Sequence, residues 1–169
     1  RERERERDLF TISKKQLLNF FFNSHFALFG DCAINPTLES SDLAEIAVES
    51  AKSAKSFGMD PRVAMLSFST KGSAKSDDVE KVANAVKLAQ EKVESEGLDN
   101  VVVDGEFQFD AAIVPAVAEK KAPGAKIQGD ANVFVFPSLE AGNIGYKIAQ
   151  RLGGFEAIGP VLQGLNSPV

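Results

Sequence analysis

The sequence predicts an α/β protein, a three-layer α/β/α arrangement on a mostly parallel sheet. Three observations carry this. Short apolar runs of strand length alternate with apolar stripes at helical spacing from Gly30 onward. The helical stretches run to roughly 10 to 20 residues, the length that right-handed crossovers between parallel strands require. Polar, glycine-bearing segments follow the apolar runs, and open α/β sheets bind ligands outside the carboxyl ends of their strands.

Residues 1–28 do not match the rest of the chain. Arg and Glu alternate strictly from Arg1 to Arg7. A helix would place opposite charges at i,i+3 but like charges at i,i+4. A strand would put one sign on each face. Neither state is favoured, and a frayed terminus is the plain expectation. Phe20, Phe21, Phe22, Phe26 and Phe29 then crowd a short stretch. Asn23, Ser24 and His25 interrupt the apolar run that a signal peptide needs. The segment reads as foreign to the domain: a scar, a frameshift or a divergent start.

The domain then unfolds in order. Leu43, Ile46, Ala47, Ser50, Ala51, Ala54 and Phe57 form one helical stripe, with Asp42 and Glu45 as a capping pair and Gly58 as the stop. Residues 63–68 form a strand, and residues 69–76 a polar loop. Val79, Val82, Ala83, Val86, Ala89 and Val93 form a second helical stripe that ends near Gly97. Residues 101–103 read as a buried strand. Residues 109–121 read as mainly helical, with Pro115 either near the start or kinking the helix. Residues 133–136 form the next strand, residues 144–152 the next helix, and residues 157–162 a last strand. No internal repeat or linker divides residues 29–169, so they parse as one domain.

Composition excludes several function classes. The 169 residues carry 44% hydrophobic and 25% charged side chains, the balance of an ordinary globular domain. The formal charge of -5 argues against a nucleic-acid surface, which needs a clustered positive field. A single cysteine, Cys32, rules out an internal disulfide and fits the reducing cytoplasm; with His25 as the single histidine, no zinc site is expected. No apolar run approaches the roughly 20 residues of a membrane helix.

Four segments place polar groups at strand ends: residues 30–36, 67–75, 104–110 and 137–143. The second is the best anion cradle on chemistry. It offers four hydroxyls, two ammonium groups and a glycine ahead of a helix N-terminus. A capping loop would use the same residue types. In the fourth, a turn would set Ser138, Gly142 and Asn143 where strand becomes helix, with glycines that admit a ligand close to the backbone. Lys147 follows one helical turn after Asn143 and could reach a phosphate or lie on the surface. Asp104, Glu106 and Asp110 could form an acid–base cluster or serve the structure. Cys32 reads better as a buried thiol than as a nucleophile, having no activating neighbour in sequence.

Together these segments resemble the phosphate acetyltransferase family. The resemblance rests on Asp31-Cys32-Ala33-Ile34-Asn35 and on residues 61–74, 104–112 and 129–164. The last contains Leu-Glu-Ala-Gly-Asn-Ile-Gly-Tyr-Lys at positions 139–147. It covers about residues 29–169. It implies two α/β domains like those of isocitrate and isopropylmalate dehydrogenases, with a site in the cleft between them. It implies transfer of an acetyl group between phosphate and coenzyme A, with no tightly bound cofactor and no metal. It places Gly142, Asn143, Tyr146 and Lys147 on the coenzyme A side. Ser69, Thr70, Lys71 and Gly72 would face the cleft, and Asn35 would join them. A cytoplasmic homodimer with neither nucleic acid nor membrane as partner is the matching expectation. The family's Ser-Arg-Gly segment and a catalytic aspartate follow the Gln-Gly-Leu-Asn-x-Pro-Val motif, so no catalytic residue is expected before Val169. The alternative is a non-catalytic dimerisation or acetyl-coenzyme A-sensing domain, prone to self-association.

Overall fold

The computed structural model describes residues 7–14, 26–30 and 37–163. Six strands form one sheet: β1 (Arg7–Lys14), β2 (Phe26–Gly30), β3 (Arg62–Leu66), β4 (Val102–Phe107), β5 (Val133–Val135) and β6 (Phe155–Gln163). Five helices accompany them: α1 (Ser40–Ser56), α2 (Asp77–Ser95), α3 (Phe109–Ile113), α4 (Pro115–Lys121) and α5 (Leu139–Leu152). The order across the sheet is β4-β3-β5-β2-β1-β6. β2, β5, β3 and β4 run parallel, while β1 is antiparallel to both β2 and β6. The predicted mostly parallel α/β sheet is what forms. The sequence set residues 1–28 apart, yet Arg7–Lys14 is a strand of this sheet.

Strand periodicity sorts the core into two layers. Leu28, Val63, Met65, Val103, Val133 and Val135 face α1 and α2. Their neighbours Phe29, Ala64, Leu66, Phe107 and Phe134 face the other way, in one cluster with residues of α3, the α4–β5 connection and α5. Successive strand residues point to opposite faces, so one three-residue strand such as β5 feeds both layers. Each apolar side chain removed from water contributes roughly 1.5–3 kcal/mol. That is why these parallel strands read as unbroken apolar runs.

Caps set most boundaries. Ser76 Oγ accepts from the Val79 amide at 3.2 Å, and Asp77, Asp78 and Glu80 fill the first turn of α2. α1 starts before the predicted Asp42–Glu45 pair. The Asp42 carboxylate instead reaches back to the Glu39 amide at 3.0 Å, one turn earlier. Gly58, at φ +78, follows the end of α1, and Gly97, at φ +61, follows that of α2. Pro115 begins a separate helix, α4, after Val114 breaks from α3. β3 ends at Leu66, two residues short of expectation, and Phe68 stands 61% exposed beyond it. β4 runs on to Phe107 and takes Asp104 and Glu106 into the sheet.

An ion network ties α1 to α2. Lys52 lies 2.9 Å from Glu49 and 2.7 Å from Glu96, and Lys92 lies 3.8 Å from both Glu45 and Glu96. The hydrogen bond from Lys52 holds the Glu96 carboxyl below the ordinary glutamate range, against the smaller pull of burial. Burial lowers the Lys52 ammonium, but its bonds to Glu96 and Glu49 together outweigh this and leave it raised. A lowered carboxylate stabilises the fold above its unfolded-state pKa and loses that contribution as pH falls through its folded value. A raised ammonium keeps its contribution until alkaline pH. Both side chains are about one-third exposed, so screening caps the pair at about 1 kcal/mol. Glu96→Gln should cost no more than that in urea melts at pH 7. The gap from the unsubstituted protein should shrink steadily below the ordinary glutamate pKa of about 4.3. An undiminished gap in strong acid would show that the pair is not its source.

Candidate functional site

Because β2, β5, β3 and β4 run parallel, the segments that leave their carboxyl ends share one edge of the sheet. Three of the four predicted segments are described there. The remaining one, residues 30–36, lies outside the described residues beyond Gly30, with Cys32 and Asn35 in it, as does His25.

The loop after β3 is fixed against the end of β4. The Ser67 amide donates to the Phe107 carbonyl at 2.8 Å, and the Lys71 amide to the Glu106 carbonyl at 3.0 Å. Ser69 Oγ donates to Glu106 Oε1 at 2.9 Å, and the Gly72 amide donates to the same oxygen at 2.7 Å. Ser73 Oγ accepts from the Thr70 amide at 3.0 Å, and Thr70 Oγ1 accepts from the Gln108 amide at 2.9 Å. Lys71 Nζ pairs with Asp104 Oδ1 and donates to the Gly105 carbonyl at 2.7 Å. Its ammonium also lies 5.1 Å from the Phe107 ring centre. Lys71 and Gly72 adopt left-handed φ values of +49 and +80, which turn their amides toward Glu106.

These contacts revise the cradle read from sequence. Ser69 and Thr70 are buried, and Lys71 and Gly72 reach the surface with their donors already engaged. The loop does cradle an anion, but the anion belongs to the protein: Glu106 and Asp104 fill it. Donor types can be counted in a sequence, whereas the partners that consume them come from a strand 33 or 34 residues away. Asp104 and the Oε1 atom of Glu106 are therefore occupied in holding the loop. Asp104 Oδ2 also accepts the Lys126 amide at 2.7 Å and the Ile127 amide at 3.4 Å, which anchors the segment before β5. Asp110 stands apart, paired with Lys121 at 2.8 Å; that bond, more than any other cause, holds its carboxyl below the usual aspartate range. Among the described residues, no group of three or more His, Cys, Asp or Glu could hold a metal.

The turn after β5 also differs from expectation. α5 begins at Leu139, not Ile144, because Ser138 Oγ caps the Ala141 amide at 3.3 Å. Gly142 therefore lies buried in the first turn, donating its amide to the Ser138 carbonyl at 3.1 Å. Gly145 serves packing: an added Cβ would come 3.0 Å from the Phe136 ring. Asn143 is half-buried. Tyr146 packs against the Phe29, Phe134 and Phe136 cluster. Lys147 is exposed, with its ammonium 5.9 Å from the Tyr146 ring centre. No hydrogen bond or ion pair among the described residues joins Lys147 to the β3 loop.

Sequence reasoning passed over Gln108 and Lys121. Lys121 Nζ bridges Gln108 Oε1 at 3.0 Å and Asp110 Oδ2 at 2.8 Å. Gln108 lies in one of the four polar segments, directly after β4, and that position was its signal. A groove of about 660 Å³ lies elsewhere, between α2 and the free edge of β4, lined by Lys87, Gln90, Glu94, Leu98, Val102 and Lys126. It opens beside the strand and not at its carboxyl end, so it is set apart from the rim.

A mostly parallel sheet with polar segments at its carboxyl edge is the architecture of α/β domains, which as a class bind ligands at that edge. The model of the phosphate acetyl/butaryl transferase family matches residues 9–169, and the chain belongs to that family. The match starts within residues 1–28 and includes most of β1. A phosphate acetyltransferase of Staphylococcus epidermidis (strain ATCC 12228) is 84% identical over 142 residues, covering 84% of this chain and 43% of the relative. The EutD phosphotransacetylase structure from Staphylococcus aureus aligns at TM-score 0.89 and 72% identity, over 97% of this chain and 47% of that one. A phosphotransacetylase structure from Streptococcus pyogenes aligns at TM-score 0.86 and 51% identity, over 97% and 46%. The chain thus spans less than half the length of these relatives.

Asp104→Ala should test the internal cradle. It leaves the Lys126 and Ile127 amides without that acceptor and the Lys71 ammonium with the Gly105 carbonyl alone. The expected loss is roughly 1–3 kcal/mol in denaturant melts. A loss under about 1 kcal/mol would show that these donors are not bound to Asp104 in solution.

Proposed function

We propose that this chain forms part of an acyltransferase that moves an acetyl group between phosphate and coenzyme A. Acetyl-coenzyme A and phosphate would interconvert with acetyl phosphate and coenzyme A, and coenzyme A would be a substrate, not a resident cofactor. The observation that carries this is the 84% identity, over 142 residues, to a protein named phosphate acetyltransferase. The chemistry requires a thiolate to attack the acetyl carbonyl as the carbon–oxygen bond to phosphate breaks. It also requires donors that hold the departing phosphate.

The rim supplies shape and position for such a reaction. Ser69, Thr70, Lys71 and Gly72 build the wall. Asn143 and Lys147, with the turn of α5 through Gly142 and Tyr146, would flank the coenzyme A side, and Asn35 would join from the preceding segment. None of these is proposed as the acid–base group, which would come from the portion of the relatives' length that this chain does not span.

A homodimer is proposed through the outer face of α5. Ile144 (58% exposed), Ile148 (54%) and Leu152 (85%) form a stripe at i, i+4 and i+8. Glu140 at one end and Arg151 at the other are also exposed. Two copies packed antiparallel about a twofold axis would set Ile144 against Ile148 and Glu140 beside Arg151. A reducing, cytoplasmic setting fits the single cysteine.

The second reading is a non-catalytic domain that dimerises or senses acetyl-coenzyme A, favoured by the 43% coverage of the relative. Calorimetry with coenzyme A, beside an assay of acetyl-coenzyme A formation from acetyl phosphate and coenzyme A, separates the two. Turnover supports the first, binding without turnover supports the second, and neither result is compatible with a chain that does not bind coenzyme A at millimolar concentration. Light scattering should give a dimer mass at tens of micromolar, and Ile148→Asp should convert it to monomer. A monomeric unsubstituted chain would reject the α5 interface.

A further inference from the structure

Two rim atoms are left over by the network around β4. Glu106 is only 5% exposed, and its Oε1 is spent on Ser69 and Gly72. Among the described residues nothing donates to its second oxygen, Oε2, and that atom is not sealed from solvent. Gln108 Oε1 accepts from Lys121 Nζ at 3.0 Å and from Thr70 Oγ1 at 3.4 Å. An ammonium can only donate, so Lys121 must face the amide oxygen. The carboxamide orientation is thereby fixed, and its NH2 group has no partner among the described residues and is not sealed from solvent. Both side chains touch the same loop, Glu106 at Ser69 and Gly72, and Gln108 through its Oε1 at Thr70 Oγ1. An acceptor and a donor, each held from behind, therefore stand two residues apart beside one wall.

We propose that Glu106 Oε2 and Gln108 Nε2 form an acceptor–donor pair that binds a neutral secondary amide of the ligand. On the coenzyme A reading above, which this inference rests on, that group is an amide of the pantetheine arm. Charge decides against a phosphate. The side chains linked through this network are the acids Asp104, Glu106 and Asp110 and the bases Lys71 and Lys121, a formal balance of two positive less three negative, net -1. The unpaired carboxylate oxygen would face an incoming phosphate directly. A secondary amide instead gives its N–H to Glu106 and its carbonyl to Gln108. It leaves no buried polar atom of either partner unpaired. The pair binds and orients the ligand; it takes no part in proton transfer.

The test is nuclear magnetic resonance on the full 169-residue chain labelled with nitrogen-15, titrated separately with pantetheine and with inorganic phosphate. The Gln108 side-chain signals are assigned by their loss in Gln108→Met. Pantetheine should shift those signals, and phosphate should leave them in place. Glu106→Gln keeps an oxygen for Ser69 and Gly72 but turns the free acceptor into a donor. It and Gln108→Met should each weaken pantetheine roughly tenfold with the rest of the spectrum intact. The pair is overturned if coenzyme A binds the unsubstituted chain while pantetheine leaves the Gln108 signals unmoved. It is equally overturned if both variants bind pantetheine as tightly as the unsubstituted chain, or if phosphate produces the shift. If coenzyme A itself fails to bind, the coenzyme A reading falls, and this pair falls with it.

Discussion

Two carboxylates inside the end of β4 govern the geometry of the rim. Asp104 and Glu106 are 3% and 5% exposed, and an ionised carboxylate taken from water costs several kcal/mol unless donors replace the water. The replacements are the Lys71 ammonium, the Ser69 hydroxyl and the amides of Gly72, Gly105, Lys126 and Ile127. Apart from Gly105, which belongs to β4 itself, each donor lies on a segment with no regular structure of its own. The debt of burying two charges is therefore what orders both the loop after β3 and the segment before β5. Truncating either side chain, so that no acceptor oxygen remains, would free a whole wall and not a single bond. Both segments are thus held by the protein's own groups, the kind of preorganisation that lowers the entropic cost of binding.

The same residues close the free edge of the sheet. β4 is the outermost strand on its side, and its outward backbone groups would invite another chain to pair. Gln90 of α2 donates to the Val103 carbonyl at 2.8 Å, and Lys71 donates to the Gly105 carbonyl at 2.7 Å. The Gly105 amide turns to Asp104 Oδ1 at 2.9 Å. Side chains thus consume the hydrogen-bonding groups that a partner strand would use. The groove beside β4 is an opening between helix and edge and not a slot for an added strand. Lys71 belongs to both tasks, for its one ammonium locks the rim and seals the edge.

How far the sequence revealed this depended on how local the cause was. Ser76 ahead of Asp77, Asp78 and Glu80 is a helix start in any context, and Gly58 and Gly97 are stops in any context. The apolar runs of β3 and β5 needed no partner to be recognised. β4 was read too short because Asp104 and Glu106 look like loop residues. Only donors from remote segments make them strand residues, and sequence order does not display those. The β3 loop was read as an open cradle for the complementary reason, since its donors are visible and its internal acceptors are not. The missed start of α5 was a different error. Ser138 followed by Leu139, Glu140 and Ala141 is a sound local start signal, but Gly142 and Gly145 drew the reading toward a turn.

Those glycines are explained by the way α5 sits on the sheet. Its inward positions are Gly142, Gly145, Tyr146 and Ala149, and a Cβ at Gly145 would press on Phe136. Small residues let the helix axis approach a sheet whose own side chains at this point are large. Phe29, Phe134 and Phe136 supply the bulk, with ring centres 5.1 and 5.6 Å from Phe29. The helix has no need to send its large apolar residues inward, and it carries Ile144, Ile148 and Leu152 outward. An ordinary surface helix does the opposite, burying its large apolar stripe in its own domain. The inverted distribution means that the volume of the inner layer is filled from the sheet side. The outer stripe then contributes little to the packing of this domain, and that frees it for the contact proposed for α5.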